Sequence, residues 1–228
     1  MSVFRVIDFE TTGVKAEDHP AQIIEYGFQD VLTSALVLGK AERNFVRSAI
    51  PCDVEARAVH HITDEEIASG VPLEHALLAL TTGTPDYFVA HNAEFEQEFF
   101  TGGQVPWICT YKCALRIWPD APRHTNQVLR YWLGIDCDFD RAFPPHRALP
   151  DAYVTAHILV RMLKMGVATL GMLEAWSKEP PMPKHIKFGK HRGAEWAELP
   201  RDYLAWIADK SDMDADTKWL ARKHLGKR

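Results

Sequence analysis

Three short stretches of this 228-residue sequence place carboxylates where they could act together. Asp8 and Glu10 stand two residues apart in "IDFETTG", His146 and Asp151 stand five apart in "HRALPDA", and three glutamates alternate through "HNAEFEQEFF". Residues two apart on a strand point to the same face, and like charges held together repel unless a cation lies between them. Oxygen ligands without a cysteine suit Mg²⁺ or Mn²⁺ better than Zn²⁺. The pattern predicts a divalent-metal site accompanied by a histidine.

Each pair taken alone has a plainer explanation. Asp8 and Glu10 could be solvated acids in a turn before Gly13, and His146 and Asp151 could cap the start of a helix. All three stretches fall at the ends of predicted strands or helices, where folds of mixed α/β type place their ligand sites. Their combination therefore favours the metal site.

The elements that must position these groups follow from the hydrophobic pattern. Apolar segments rich in β-branched and aromatic residues predict strands at 3–9, 21–32, 36–46, 86–91 and 105–110, the first three as antiparallel neighbours. Helix-start signals and apolar residues at helical spacing predict helices at 63–68, 73–83, 93–102, 111–119, 125–134 and 147–166. Strands first, then alternating strands and helices, predict an α/β fold with a mixed sheet flanked by helices.

Composition sets the broad class of the protein. A hydrophobic content of 46% and a charged content of 25% are ordinary for a soluble globular protein. No apolar run approaches the roughly 20 residues of a membrane span, so we expect no membrane partner. The four cysteines stand at irregular spacings, which predicts reduced thiols and a cytoplasmic location rather than disulfides or a zinc site.

A proline-rich segment at 179–183 predicts a linker between a domain at 1–178 and a small, mainly helical extension at 184–228. The extension holds 11 Lys and Arg against 7 Asp and Glu, a balance of +4, whereas residues 1–183 have a balance of −9. This division suits an acidic metal site beside a phosphate-binding surface, and a merely solvated basic end is the plainer alternative.

The three acidic stretches resemble, in order and spacing, the motifs D-x-E-T, H-N-A-x-F-D and H-x-x-x-x-D of the DnaQ-like 3′–5′ exonucleases. The histidine of the third motif is typical of the DEDDh subgroup, which has a ribonuclease-H-like fold. "VHHIT" (59–63), "WICTYKCALRIWP" (107–119), "NQVLRYWLGI" (126–135) and "FGKHRG" (188–193) extend the match over most of residues 3–209. The resemblance implies hydrolysis of phosphodiester bonds at nucleic-acid 3′ ends by two Mg²⁺ or Mn²⁺ ions, with release of nucleoside monophosphates.

The resemblance also assigns roles to individual residues. The implied metal ligands are the four acids Asp8, Glu10, Glu96 and Asp151, with His146 as general base. The expected substrate contacts are Thr11 and Thr12 through their backbone N–H groups, Val14 against a base, His60, Asn92, Lys187, Lys190 and Arg192. An alternative stays open for His60, for Asn92 and for the three basic residues of the extension. His60 could be a core histidine, Asn92 could hold its loop together with His91, and the basic extension could merely pack on the catalytic domain.

Glu96 departs from the family pattern, which has Asp at this position. One added methylene moves a carboxylate by about 1.5 Å, against metal–ligand tolerances of about 0.2 Å. We expect Glu96 to remain a ligand because it follows Phe95, which should anchor the helix in the core, whereas Glu94 and Glu98 point elsewhere.

The favoured function is exonucleolytic trimming of DNA 3′ ends in repair or recombination. The alternatives are an RNA-trimming exoribonuclease and a catalytically silent nucleic-acid-binding protein. A proofreading subunit is disfavoured because the extension looks globular and basic rather than like a polar tether. The sequence leaves the discrimination between DNA and RNA open, since it depends on contacts to the 2′-OH. It predicts no oligomeric state.

Overall fold

The computed structural model describes residues 2–15 and 20–226, and a five-stranded mixed sheet forms its centre. The strands lie in the order β3–β2–β1–β4–β5, with β1 antiparallel to β2, β2 antiparallel to β3, and β4 and β5 continuing in parallel from β1. Their bounds are β1 Val3–Thr11, β2 Ile23–Leu32, β3 Val37–Phe45, β4 Tyr87–Ala90 and β5 Trp107–Cys109. The predicted mixed sheet is confirmed.

Ten α-helices accompany the sheet in the described part of the chain. They are α1 Val54–His60, α2 Asp64–Ser69, α3 Leu73–Thr81, α4 Ala93–Phe99, α5 Thr110–Ile117, α6 Asn126–Trp132, α7 Ala148–Met165, α8 Leu170–Lys178, α9 Arg201–Asp209 and α10 Ala215–Leu225. The sequence pattern did not predict α1 or α8. Helix α1 buries only His60 among its seven residues and leaves Val54 80% exposed, so it has no apolar stripe to detect.

The alternation of β1 decides which face of the sheet carries the acids. Phe4 and Val6 enter the core cluster that contains the apolar side of α7, whereas Ile7 and Phe9 enter the cluster on the opposite face. Asp8 and Glu10 continue the row of Phe4 and Val6, because successive strand residues alternate between faces. Both acids therefore lie on the side of the sheet covered by α7.

Helix α7 begins in close contact with β2. A Cβ atom added to Gly27 would lie 2.3 Å from the backbone nitrogen of Leu149 and 2.4 Å from the carbonyl carbon of Ala148. Only glycine allows the two backbones to approach this closely. The contact fixes the start of α7 directly over the antiparallel half of the sheet.

The C-terminal part of the chain has a hydrophobic cluster of its own. It contains Ile186, Trp196, Leu199, Leu204, Ile207, Ala208, Leu220, Ala221 and Leu225. Polar contacts join it to the rest of the molecule. Lys184 Nζ lies 2.7 Å from Asp120, and Glu179 accepts hydrogen bonds from Arg116 at 2.9 Å and Lys223 at 3.2 Å. The division of the chain at 179–183 stays a prediction.

Two further observations concern the described residues as a whole. No helix in residues 2–15 and 20–226 combines the length and apolar character needed to cross a membrane. Cys52, Cys109, Cys113 and Cys137 are all free thiols.

Candidate metal centre

Asp8, Glu10 and Asp151 form the acidic cluster of the structure. Asp8 and Glu10 lie at the end of β1, and Asp151 lies in the first turn of α7, which the β2 contact places above them. One carboxylate oxygen from each residue lies within 4.8 Å of the other two. Two elements far apart in sequence thus bring three acids to one point.

Burial and mutual repulsion disfavour the ionised form of these carboxylates. Burial, followed by the carboxylates of Asp151, Glu10 and Glu96, raises the pKa of Asp8 well above its ordinary value. Burial and Asp151 raise the pKa of Glu10 to about 8. Carboxylates kept from ionising by one another are the groups that a bound cation stabilises.

His146 stands beside the cluster on the loop that leads into α7. Its backbone adopts the left-handed conformation, with φ of 59°, and its N–H donates a 2.6 Å hydrogen bond to Asp151 Oδ2. Gln127 donates to the other oxygen of Asp151 at 3.2 Å. Burial raises the pKa of Asp151, while these two donors oppose the increase. The side chain of His146 is exposed to the cleft.

Glu96 is the buried member of its glutamate series. It is 2% exposed, and its Oε2 has no hydrogen-bond partner among the described residues. Burial, with a contribution from Glu10, raises its pKa to about 8. Its oxygens do not belong to the group of Asp8, Glu10 and Asp151 oxygens that lie within 4.8 Å of one another. Glu94 instead pairs with Lys112 at 2.6 Å, and Glu98 is exposed.

The expectation that Phe95 anchors α4 in the core is wrong. Phe95 is only partly buried and lines the cleft, whereas Ala93 is buried in the core and Phe99 packs against it. Helix α4 has only seven residues and contacts β1, β4 and β5, so these strands rather than Phe95 decide which side is buried. Glu96 faces inward because it lies near Ala93 on the helix surface.

Two adjoining cavities flank the acids and share Asp8, His91, Asn92, His146 and Asp151. The first, of about 530 Å³, is also lined by Glu10, Glu96, Thr11, Val14, Val59, His60 and Phe95. The second, of about 600 Å³, is also lined by Tyr111, His124, Gln127 and Pro145. The acidic cluster therefore lies where the two cavities meet.

The expected donor role of Thr12 is not available. Its backbone N–H donates to the carbonyl of Gln22 at 2.9 Å, and its hydroxyl accepts from the Gln22 N–H at 3.0 Å. Thr12 is 1% exposed and does not line either cavity. Thr11 does line the first cavity, with its hydroxyl donating to Gly13 O at 2.7 Å. Val14 stands at the rim, 70% exposed.

His60 and the loop before α4 are both held by internal contacts. His60 is 3% exposed and accepts from the Ile62 N–H at 2.9 Å, yet it contributes to the wall of the first cavity. His91 lies 2.9 Å from the Thr110 hydroxyl and donates to the His124 carbonyl at 2.7 Å, and burial lowers its pKa to about 4. Neutral His91 thus fixes the loop, while Asn92, with φ of 81°, remains exposed at both cavities.

The predicted basic residues lie on the C-terminal part of the chain. Lys187, Lys190 and Arg192 are all exposed, and Lys190 Nζ lies 5.3 Å from the ring centre of Tyr203. Lys187 is near enough to His124 that its charge, together with burial, lowers the pKa of that histidine. Lys187 therefore lies near His124 of the second cavity, and none of the three basic residues lines either cavity.

Three residues that contact or neighbour the acids were not anticipated from the sequence: Gln127, which donates to Asp151, and the hydrogen-bonded pair Glu25 and Arg147, with Glu25 opposite Glu10. Glu25 is an acid inside the apolar run "IIEYGF", and that isolation was the one available signal. Gln127 and Arg147 lie in "NQVLRYWLGI" and "HRALPDA", two stretches that resemble the family, but nothing in their local sequence indicates their partners. They stand in ordinary helix-start sequences, and their partners are remote in sequence.

The residues present fit a divalent cation. All candidate ligands are carboxylate oxygens, two of them have a pKa raised to about 8, and Glu96 Oε2 is buried without a partner. Hard oxygen donors of this kind are those preferred by Mg²⁺ and Mn²⁺. The cluster can hold a divalent metal.

Several known proteins are similar to this chain in sequence and fold. No family model matches the chain. It is 28% identical over 225 residues to exodeoxyribonuclease 10 of Escherichia coli K12, covering 97% of this chain and 98% of the relative. It superposes on exonuclease X in complex with 5′ overhanging duplex DNA with a TM-score of 0.66 and 28% identity, over 76% of this chain and 99% of that one. The nuclease domain of 3′hExo, a DEDDh family member bound to rAMP, matches in fold with a TM-score of 0.58 and 21% identity, over 72% and 93% of the chains. The resemblance to the DnaQ-like exonucleases is confirmed.

Proposed function

We propose that this protein, which shares sequence and fold with the DnaQ-like exonucleases, is a metal-dependent 3′–5′ exonuclease. It hydrolyses phosphodiester bonds at DNA 3′ ends and releases nucleoside monophosphates. The observation that carries the proposal is the convergence of Asp8, Glu10 and Asp151 within 4.8 Å, beside His146 in an open cleft.

The proposed chemistry assigns a task to each group. Two Mg²⁺ or Mn²⁺ ions held by Asp8, Glu10, Glu96 and Asp151 would supply the charge that stabilises the attacking and leaving oxygens of the phosphodiester. His146 accepts a proton from the attacking water, whose oxygen bonds to phosphorus as the bond to the 3′ oxygen breaks. The 3′ oxygen takes up a proton and leaves with the shortened strand. The terminal nucleotide departs as its 5′-monophosphate.

The first cavity is proposed to hold the terminal nucleotide. Val14 and Phe95 offer apolar surface to the base, and Thr11, His60 and Asn92 line the same space. Thr12 does not line this cavity, and its two hydrogen bonds to Gln22 hold the backbone next to Thr11 in place. The rest of the DNA strand is then proposed to run from the scissile bond through the second cavity towards the basic turn.

DNA is proposed as the substrate because the relative with nearly full coverage is an exodeoxyribonuclease and because exonuclease X was solved with duplex DNA. A role in repair or recombination follows as part of the same proposal. The four free thiols support a cytoplasmic location. RNA is the second candidate substrate, since a neighbour of the same fold binds rAMP.

Incubation with 5′-labelled DNA and RNA of the same sequence tests the proposal directly. With Mg²⁺ or Mn²⁺, we expect the DNA to shorten stepwise from its 3′ end and EDTA to stop the reaction. Shortening of RNA alone would identify an exoribonuclease. Retarded migration of either strand on native gels without shortening would identify a silent nucleic-acid-binding protein.

The basic turn at Lys187, Lys190 and Arg192 should set the salt dependence of DNA binding. Replacing all three by Gln is expected to weaken binding and to flatten the slope of log K against log salt by about 0.9 for each lost phosphate contact. Turnover at saturating DNA should change little, because the turn lies away from the acids. Fluorescence anisotropy at several salt concentrations, with turnover measured in parallel, checks both statements.

The matched control for this variant removes the same charge elsewhere. Arg161, Lys164 and Lys210 are also exposed, and their triple Gln variant should keep a slope closer to the original. Equal slopes for the two triple variants would mean that only net charge matters. The basic extension would then be a solvated, packed unit and not a binding surface.

Glu96→Gln is expected to lower the turnover number by roughly 10²-fold, the order seen on removing one preorganised stabilising group. The variant keeps the shape of Glu96 while removing the charge that would help to bind metal. Glu94→Gln and Glu98→Gln are the matched controls and should be nearly silent, because Glu94 pairs with Lys112 and Glu98 is exposed. Steady-state kinetics with a labelled oligonucleotide measures all three.

Glu96→Asp tests the length of the side chain. Glu96 already lies outside the group of three acids within 4.8 Å, so a shorter side chain should fall further from them and reduce turnover. A faster Glu96→Asp enzyme would mean that Glu holds the site imperfectly and that Asp suits it better. Equal turnover numbers for Glu94→Gln, Glu96→Gln and Glu98→Gln would mean that Glu96 is not part of the site.

A further inference from the structure

Glu25 is a buried acid that the proposed chemistry does not use. It lies on β2, directly opposite Glu10 of β1 in the antiparallel pair, and is 1% exposed. Like charges directly opposite each other on neighbouring strands destabilise a sheet. An acid at this position therefore calls for a specific partner.

That partner comes from the start of α7. Arg147 donates from Nε to Glu25 Oε2 at 3.0 Å and from Nη2 to Oε1 at 2.9 Å, which is the bidentate geometry of a strong charge-assisted pair. The Ala148 N–H donates to Glu25 Oε2 at 3.0 Å. Glu25 thereby satisfies one of the unpaired N–H groups at the beginning of α7, where a negative charge is also favoured by the helix dipole.

The same short segment carries two proposed site residues. His146 precedes Arg147, and the Asp151 N–H donates to the Arg147 carbonyl at 3.0 Å. Asp151 in turn accepts the 2.6 Å bond from the His146 N–H. The position of Arg147 therefore sets the positions of both neighbours.

We infer that Glu25 and Arg147 are positioning residues, which hold His146 and Asp151 against Asp8 and Glu10. The pair fixes the rotation and depth of the helix start, and the glycine contact at Gly27 allows that start to lie on β2. The inference rests on the proposed function for its catalytic consequence. Its geometric basis, the clamp of α7 onto β2, does not depend on that function.

The molecule contains a matched control pair. Arg5 on β1 donates from Nε and Nη2 to Asp30 on β2 at 2.8 and 2.9 Å, and both side chains are buried. This second bidentate pair joins β1 to β2 at the end of their ladder opposite Glu10 and Glu25, away from the acids. A general effect of breaking a buried ion pair should appear at both places.

The experiment compares Glu25→Gln with Asp30→Asn and Arg147→Lys with Arg5→Lys, in the full-length protein. Three quantities are measured: the melting temperature without metal, the binding of Mn²⁺ by calorimetry without substrate, and kcat and KM for an oligonucleotide. We expect all four variants to melt at lower temperature than the original. Only Glu25→Gln and Arg147→Lys should bind Mn²⁺ more weakly and lose roughly 10–100-fold in kcat, the order seen for outer-shell partners of metal ligands, with little change in KM.

Several results would overturn the inference. Normal Mn²⁺ binding and kcat in Arg147→Lys, with a lowered melting temperature, would reduce the pair to a structural role. Equal losses of kcat in both pairs would lead to the same conclusion. An original protein without nuclease activity would contradict the proposed function alone, since the comparison of Mn²⁺ binding would still decide whether the pair positions the acids.

Discussion

Asp8→Asn should abolish hydrolysis, by at least about 10³-fold, and should at the same time make the metal-free protein more stable. Asp8 lies among the carboxylates of Glu10, Glu96 and Asp151, and burial with these charges raises its pKa. A folded-state pKa above the unfolded value means that the folded protein binds more protons, so stability falls as pH rises from about 4, the unfolded value. The pKa values of Glu10 and Glu96, both about 8, set the upper end of the pH range over which stability falls.

Thermal melts in EDTA at pH 5.5 and pH 8 check the prediction. The original protein should melt at lower temperature at pH 8, and Asp8→Asn should reduce that difference. Mg²⁺ at a hundred times its dissociation constant should stabilise the original protein by about 2.7 kcal/mol and the variant by less. Asp212→Asn, at an exposed acid, is the control. Hydrolysis by Asp8→Asn at the original rate, or undiminished hydrolysis in excess EDTA, would contradict the metal centre.

His146→Ala should lower the turnover number by roughly 10²–10⁴-fold, the usual range for a positioned proton acceptor. Because His146 is exposed to the cleft, added imidazole should enter the space left by the side chain and restore part of the rate. Turnover at saturating oligonucleotide, with and without imidazole, measures both effects. His75→Ala, at an exposed histidine of α3, should be silent.

The backbone of His146 needs a separate control because its φ is 59°. Asn tolerates this left-handed conformation better than most residues, so His146→Asn removes the base with less disturbance of the loop. An equal loss in the Asn and Ala variants would assign the effect to the side chain. Original turnover in both would mean that hydroxide attacks without this histidine.

The sequence predicted the parts of the site that depend on local periodicity. Asp8 and Glu10 lie on one face because a strand alternates every residue, and Asp151 lies at a helix start because Pro150 and the following apolar spacing favour one. Glu25 and Arg147 could not be paired in this way, since they meet across 122 residues and nothing in either local pattern indicates the other. The engagement of the Thr12 N–H by Gln22 is likewise a tertiary result.

Side-chain orientation on short elements was the other limit of prediction. Phe95 was expected to anchor α4 in the core, yet α4 has only seven residues and turns Ala93 and Glu96 inward. Helix α1 was missed because it has no apolar stripe. In both cases the packing of neighbouring strands decides the outcome, and a window of a few residues does not contain that information.

The separate hydrophobic cluster of the C-terminal part has a consequence for how the chain folds. All its members lie between Ile186 and Leu225, whereas the sheet must bring Phe4 beside Tyr87. The chain entropy lost on closing a loop grows with the logarithm of the loop length. The contacts within the C-terminal cluster close shorter loops than the pairing of Phe4 with Tyr87, so we expect the cluster to form independently of the sheet. Cooperative units of this kind open with their own free energies. We therefore expect the C-terminal part that presents Lys187 to unfold and refold locally more often than the strand that carries Asp8 and Glu10.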